Sequence, residues 1–447
     1  MATLPDIVAP AVDREDPPPR QQLKAVGTAP AVLPAWLRAQ SINVTRHAAA
    51  LRPFRREEFG TGPAAPSEGH IRVVNSLISK LRGGLLKMSK NVTRAVAAAN
   101  EEPDRARLRS VVLHKDRAHR WVQGIEKIWD FYFELFGQRQ SPPYGEWLLS
   151  CDRVAMDCYQ TIYTNLGVAK SIPAPPPFCF MRTGFAPSTI RRGIALKRLG
   201  LQLNPFPLVQ LPYHRMVNPW TLGAVMHEVS HNLQSELGLS KDVPRAVARR
   251  LLRARLGRSV AMVWTRWNRE MFADMCALLL GGPEVLGSLM DVVGRAPAMV
   301  FGFNPRGVHP TPYLRTLISV ELLRRMGFTD EAANYRRAWT RVYPDARAGN
   351  IPEAMLKTFP EACAQAVDAM CFQPYKALGN KSLAQVIRFQ RKDYQMMEEA
   401  AGRMAAGADP GIIPERFLIG ASRIALNRRM ARPGVVTENF YKELVRR

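Results

Sequence analysis

The chain has 447 residues, 47% hydrophobic and 23% charged, proportions ordinary for a folded protein long enough for two or three packed units. Lys plus Arg number 63 against 38 Asp plus Glu, and the resulting +25 suits acidic partners but equally a solvated, arginine-rich surface. No apolar run reaches the ~18 residues of a membrane span, the best candidate (285–303) carrying Asp291 and Arg295, and six scattered cysteines without a C-x-x-C pair indicate neither a disulfide frame nor a cysteine-type zinc site.

Residues 1–70, rich in Pro, Ala and Arg, read as a disordered or loosely packed arm. Early acids and prolines stand where a secretory signal would need a basic start and an apolar core, so a cytoplasmic location is expected. Residues 71–170 form a helical region, in which Trp121, Ile125, Ile128, Phe131 and Leu135 recur at steps of three and four. Ile172–Phe178, with four prolines, reads as a stiff linker and a boundary, after which 171–328 forms a core. The runs Arg192–Gly200 and Phe206–Pro212 are predicted strands, and the prolines suit a sheet edge able to take up a substrate backbone. Asn218 and Pro219 predict a capped helix start and Gly238 its stop, giving a helix over Pro219–Leu237. Further helices are predicted at about 244–256, 259–280, 312–326, 330–342, 352–372 and 382–406, within a C-terminal region, 329–447, that ends in a basic tail. The fold class expected is mainly α with a small edge-strand sheet.

Inside the first of these helices lies His227-Glu-Val-Ser-His231. A spacing of four places both imidazoles on one helical face, where they can hold a zinc ion, and Glu228 can serve as general base without being a ligand. A catalytic site needs a third protein ligand. The continuation H-x-x-G-x-x-H fails, because those later positions are Gln234 and Leu237, and Glu236 points away from the shared face. Glu270 and Asp274, again four apart on a predicted helix, are better placed: one carboxylate can bind metal while the other fixes a ligand histidine's tautomer.

H-E-x-x-H, then Glu270-Met-Phe-Ala-Asp274 as E-x-x-A-D, then His309-Pro310 through Arg315 as H-P-x-x-x-x-R, resembles in this order the HtpX and CAAX prenyl protease branch of the gluzincin metallopeptidases, including its soluble relatives. The lead-in Leu222-Gly-Ala-Val-Met-His-Glu is similar too, and the resemblance covers roughly residues 185–320. It implies an α+β zincin-like peptidase core and one Zn²⁺ per chain on His227, His231 and Glu270. It further implies that Glu228 activates water, that Asp274 orients a ligand histidine, His227 first, and that His309 or Arg315 helps hold the developing oxyanion. Tyr313 and His214 are rival donors. Membrane members of that branch carry transmembrane helices, whereas an arginine-rich segment lies here between His231 and Glu270, which argues against a membrane-embedded substrate.

That segment, Arg245–Arg258, predicts an amphipathic helix with Val247, Leu251, Leu252 and Leu256 inward. It could meet an acidic partner. It lacks the interleaved aromatics of a single-strand binder, so a solvated face is expected over nucleic-acid binding. Two functions from different classes follow. One is a zinc metallopeptidase hydrolysing a peptide or protein substrate. The other is a non-catalytic or structural-metal protein binding nucleic acid or another acidic partner. Glu228 favours the first, since a structural site would take four protein ligands and need no such carboxylate.

Overall fold

The computed structural model describes residues 32–167, 170–195 and 202–447. This described chain is mainly α with one three-stranded sheet, as its periodicities predict. It groups into two compact units. The first takes 32–50 and 83–122 of the described residues. It contains α1 (Val32–Ala50), the later part of α2 (Glu68–Glu101) and the earlier part of α3 (Arg105–Gly137). Composition assigns 32–50 to a loose arm, yet Leu37, Val44 and Ala48 share one face of α1 and are buried. Paired hydroxyls fix its register: Ser41 lies 2.7 Å from Thr93, and Thr45 lies 2.8 Å from Ser89. Residues 1–31 of the predicted arm, and 196–200 of the predicted strand Arg192–Gly200, lie outside the described residues.

The second unit takes 51–82 and 123–447. Its sheet holds β1 (Phe178–Met181), β2 (Ser188–Ile190) and β3 (Leu208–Leu211) in the order β1-β3-β2, β1 parallel and β2 antiparallel to β3. Successive side chains of a strand face opposite ways. Phe178, Phe180 and Leu208 therefore join one cluster with Phe54, Phe59, Ile71, Ile128 and Phe136, while Cys179, Val209 and Leu211 join the larger core. Residues 51–70 of the predicted arm thus contribute Phe54 and Phe59 to a core. The strand expected at Phe206–Pro212 exists but is central, not an edge: Pro207 and Pro212 flank the ladder, so neither withdraws a donor from it. Both outer strands are edges: the amides of Cys179 and Met181 on β1 are taken by Asp152 and Gln138, whereas no such side-chain bond to a β2 amide is present among the described residues, so the free edge is that of β2. The proline-rich segment expected as a stiff linker is tied into this unit, because Arg192 donates to the carbonyls of Pro173, Ala174, Pro175 and Pro205 and pairs with Glu236 at 2.9 Å.

His70 sits in the smaller cluster, against the rings of Phe178 and Phe206, with Nε2 3.0 Å from the Pro176 carbonyl. Burial lowers its pKa below the usual 6.5 despite that carbonyl and Asp152, which pull the other way. The fold therefore favours the neutral ring. Its contribution to stability is complete above about 6.5 and is lost as pH falls from there through the lowered folded value. Thermal melts between pH 7.5 and 5 are expected to fall more steeply for the parent than for His70→Gln, which keeps an amide donor near Pro176. Parallel curves would mean that His70 titrates normally in the fold.

Helix α4 (Tyr144–Leu166) packs on β1, and after the one-turn α5 (Tyr213–Met216) the motif helix α6 (Gly223–Glu236) begins. Asn218 does not cap it with its side chain. A 3₁₀ turn, Pro219–Thr221, intervenes, and the Asn218 carbonyl takes the Thr221 amide and hydroxyl instead. Gly238 ends the helix as expected, at φ 78°. Then come α7 (Asp242–Arg253), α8 (Arg258–Arg266), α9 (Asn268–Gly281), α10 (Pro283–Val293) and α11 (Pro297–Val300). The single helix expected at 259–280 is thus two, joined at Trp267. On α7, Val247 and Leu251 are buried but Leu252 is exposed, and Arg250 is tied to Gln365 and Gln373. The chain continues through α12 (Pro312–Arg325), α13 (Thr329–Val342), α14 (Glu353–Val367) with a π turn to Phe372, α15 (Leu383–Val386) and α16 (Arg391–Ala405). The expected basic tail is instead two packed helices, α17 (Phe417–Asn427) and α18 (Pro433–Arg446), which bury Phe417, Leu418, Phe440 and Leu444. Its arginines are used internally: Arg416 pairs with Asp157 at 2.8 Å, and Arg447 with Glu443 at 2.7 Å.

Candidate metal centre

Helices α6 and α9 lie side by side, so their i, i+4 pairs face each other. The two imidazole Nε2 atoms of His227 and His231 are 3.1 Å apart. Glu270 brings Oε2 to 3.5 Å from the first and Oε1 to 3.5 Å from the second. Donors on a tetrahedral zinc at ~2.0–2.1 Å stand roughly 3.3–3.4 Å from one another. The three side chains therefore have the spacing of a metal's ligand set, and among the described residues they form the one such cluster.

Behind them, Asp274 places Oδ1 2.8 Å from Nδ1 of His227 and receives Arg315 through Nε at 2.6 Å and Nη2 at 2.8 Å. Arg315 comes from α12, and its Nη2 also lies 3.5 Å from Glu270. With Asp274 beside Nδ1, a neutral His227 ring would keep its proton there and offer Nε2, the atom nearest His231 and Glu270, to a metal. Burial opposes charge on His227, but Asp274 and Glu270 outweigh it and raise the imidazole to about 10. Burial, reinforced by His227, lowers His231 to about 3. Burial also works against ionised Glu270 and Asp274; His227 and Arg315 overcome it and hold both carboxyls below the usual range. The centre gathers more negative than fixed positive charge. The proton held by His227 answers that excess, as a divalent cation on two neutral imidazoles would.

Glu228 is 6% exposed, and burial pushes its carboxyl up to about 7, with His227 opposing and Glu270 adding to the shift. His309, on the loop before α12, is exposed and reaches Glu270 Oε1 at 3.5 Å. These residues line a cleft of about 650 Å³, with Ser188 and Thr189 of β2 along one wall. Asn232 on α6 donates to the Thr189 hydroxyl at 2.7 Å and so ties the edge strand to the motif helix. Tyr313 packs on Phe301 and His214 near Phe185; neither lines the cleft. The structure thus brings His227, Glu228, His231, Glu270, Asp274, His309 and Arg315 together. Sequence reasoning missed Asn232, Thr189 and the arginines of the cleft, Arg191, Arg266 and Arg269. Only the positions of Asn232 beside His231 and of Arg269 beside Glu270 signalled any of them.

Compared with known proteins, the chain matches no family model, no curated protein and no solved structure.

Proposed function

We propose that the chain is a zinc-dependent metalloendopeptidase of the gluzincin type, acting on a peptide or protein substrate. The observation that carries this reading is the convergence of His227, His231 and Glu270 with a buried, non-ligating Glu228 on an open cleft. His227, His231 and Glu270 would hold the zinc. When bound, zinc supplies Lewis acidity, polarising a peptide carbonyl and lowering the pKa of water toward ~7. Glu228, buried next to His227 on the cleft but not among the metal-ligand atoms, is placed to take a proton from water and return it to the leaving amine. Asp274 holds His227 in the metal-binding tautomer. Arg315 gives Nε and Nη2 to Asp274 and so positions that carboxylate, and His309, exposed on the loop before α12, is the donor for a developing oxyanion. A substrate backbone would pair with the free edge of β2. No described helix is long and apolar enough to cross a membrane. The six cysteines are all unpaired and buried, which suits the cytoplasm as the location.

The test is a digest of a denatured peptide mixture, read by mass spectrometry for new termini. Zinc-loaded parent is expected to generate them, a chelator to stop them and added zinc to restore them. A zinc-loaded chain that cuts nothing would favour a structural metal. The ligand order has its own check: Glu270→Ala is expected to weaken zinc in a chelator competition more than Asp274→Ala does, the latter costing about 10–100-fold. The reverse order would exchange their roles.

A further inference from the structure

We infer that the cleft selects peptides with an acidic residue on the amino side of an apolar one, and that Arg191 and Arg269 read the acid. The inference rests on the peptidase reading and adds its substrate class. The cleft runs along α6 and has two unlike ends. At the amino end of α6, α10 packs so closely that a Cβ on Gly223 would stand 2.8 Å from that of Ser288, and Ala224, Val285, Leu286, Leu289 and Val292 give an apolar lining. At the carboxyl end, Gln234 bonds Asn268 at 3.3 Å and Glu236 pairs with Arg192, which brings the start of α9 and the end of β2 alongside. Three arginines line the cleft here: Arg191 just after β2, Arg266 at the end of α8 and Arg269 in the first turn of α9.

The acids that line the cleft are Glu228, Glu270 and Asp274; the latter two are matched by Arg315 and His227. Among the described residues Arg191 and Arg269 have no carboxylate partner, and Arg266 meets only the Pro305 carbonyl. Arg191 is half-buried, and burial together with the charge of Arg269 weighs against its own charge. Two like charges lining one cleft, Arg191 half-buried and Arg269 exposed, without a carboxylate partner favour an incoming carboxylate.

The direction follows from β2. Phe185, just before it, lies under the Arg295 guanidinium at 3.9 Å, beyond the end of α10, and Arg191 follows its last residue. The strand thus runs from the apolar end to the cationic end. A peptide adding antiparallel, the commoner pairing, runs the opposite way, with its amino end over the arginines. From Ala224 to Gln234 the helix rises roughly 15 Å, the length of about four or five extended residues.

The test uses zinc-loaded Glu228→Gln, so that binding is read without turnover, and fluorescein-labelled Gly-Glu-Glu-Gly-Leu-Leu-Gly followed by anisotropy at low salt. This peptide is expected to bind at least about ten-fold tighter than its Gln-Gln twin and than the reversed Gly-Leu-Leu-Gly-Glu-Glu-Gly. Adding Arg191→Gln and Arg269→Gln is expected to erase the difference, whereas Arg249→Gln with Arg253→Gln, on α7, should preserve it. Equal binding of the Gln-Gln twin, or a preference that survives loss of Arg191 and Arg269, overturns the inference. So does displacement of the peptide by a duplex oligonucleotide at lower concentration, which would mark a nucleic-acid surface, and equal binding of the reversed peptide overturns the direction. Parent and zinc are then added to the two forward peptides. If the acidic peptide binds as stated but stays intact, the peptidase reading falls and the acid-selecting cleft stands; if both peptides are cut equally, the reverse holds.

Discussion

Zinc-loaded Glu228→Gln is expected to retain one zinc ion per chain and to hydrolyse peptides about 10²–10⁴-fold more slowly than the parent, the range of a positioned general base. Glutamine keeps the shape and the place on α6 but cannot take a proton. Glu228 is buried beside His227, not among the three atoms with ligand spacing, so its loss should spare the metal. Initial rates on any peptide the parent cuts, with zinc content measured on the same samples, check both halves. Parent-like rates would remove Glu228 from the chemistry, and lost zinc would make it a ligand.

Arg315→Ala is expected to destabilise the fold by about 3–5 kcal/mol in urea unfolding, the cost of leaving a buried charge without its partner. Asp274 is 5% exposed at its side chain and Arg315 11%, and the pair is joined by two short bonds. Arg315→Lys should fall between Ala and the parent, since an ammonium restores charge but not the two-pronged fit. Were Ala to cost under about 1 kcal/mol, as exposed pairs do, Asp274 would be protonated or solvated when Arg315 is gone.

The candidate centre was legible in the sequence because a helix turns once in about 3.6 residues, so spacing alone puts His227 with His231 and Glu270 with Asp274 on shared faces. Strand β2 was not. Ser188, Thr189 and Ile190 are too few for any period to register, and their place is set by pairing with β3 some twenty residues on. Helix α10 was passed over because Gly282 and Pro283 look like a break; they are one, but between helices, with Gly282 at φ 72° and its missing Cβ occupied by the Phe389 ring. The arginines from Arg416 onward suggested a solvated tail, since two of them, Arg416 and Arg423, find their partners Asp157 and Asp291 more than a hundred residues away. For the same reason no local pattern separates Arg191 and Arg269, which face the cleft, from Arg249 and Arg253 on α7.

The most direct test of a metal centre at His227, His231 and Glu270 is zinc stoichiometry by mass spectrometry of the metal, after equilibration with excess zinc and desalting. The parent is expected to carry one zinc per chain and His227→Ala/His231→Ala none, with both proteins folded by circular dichroism. A parent that retains no zinc, or a double variant that still retains one, would contradict the account.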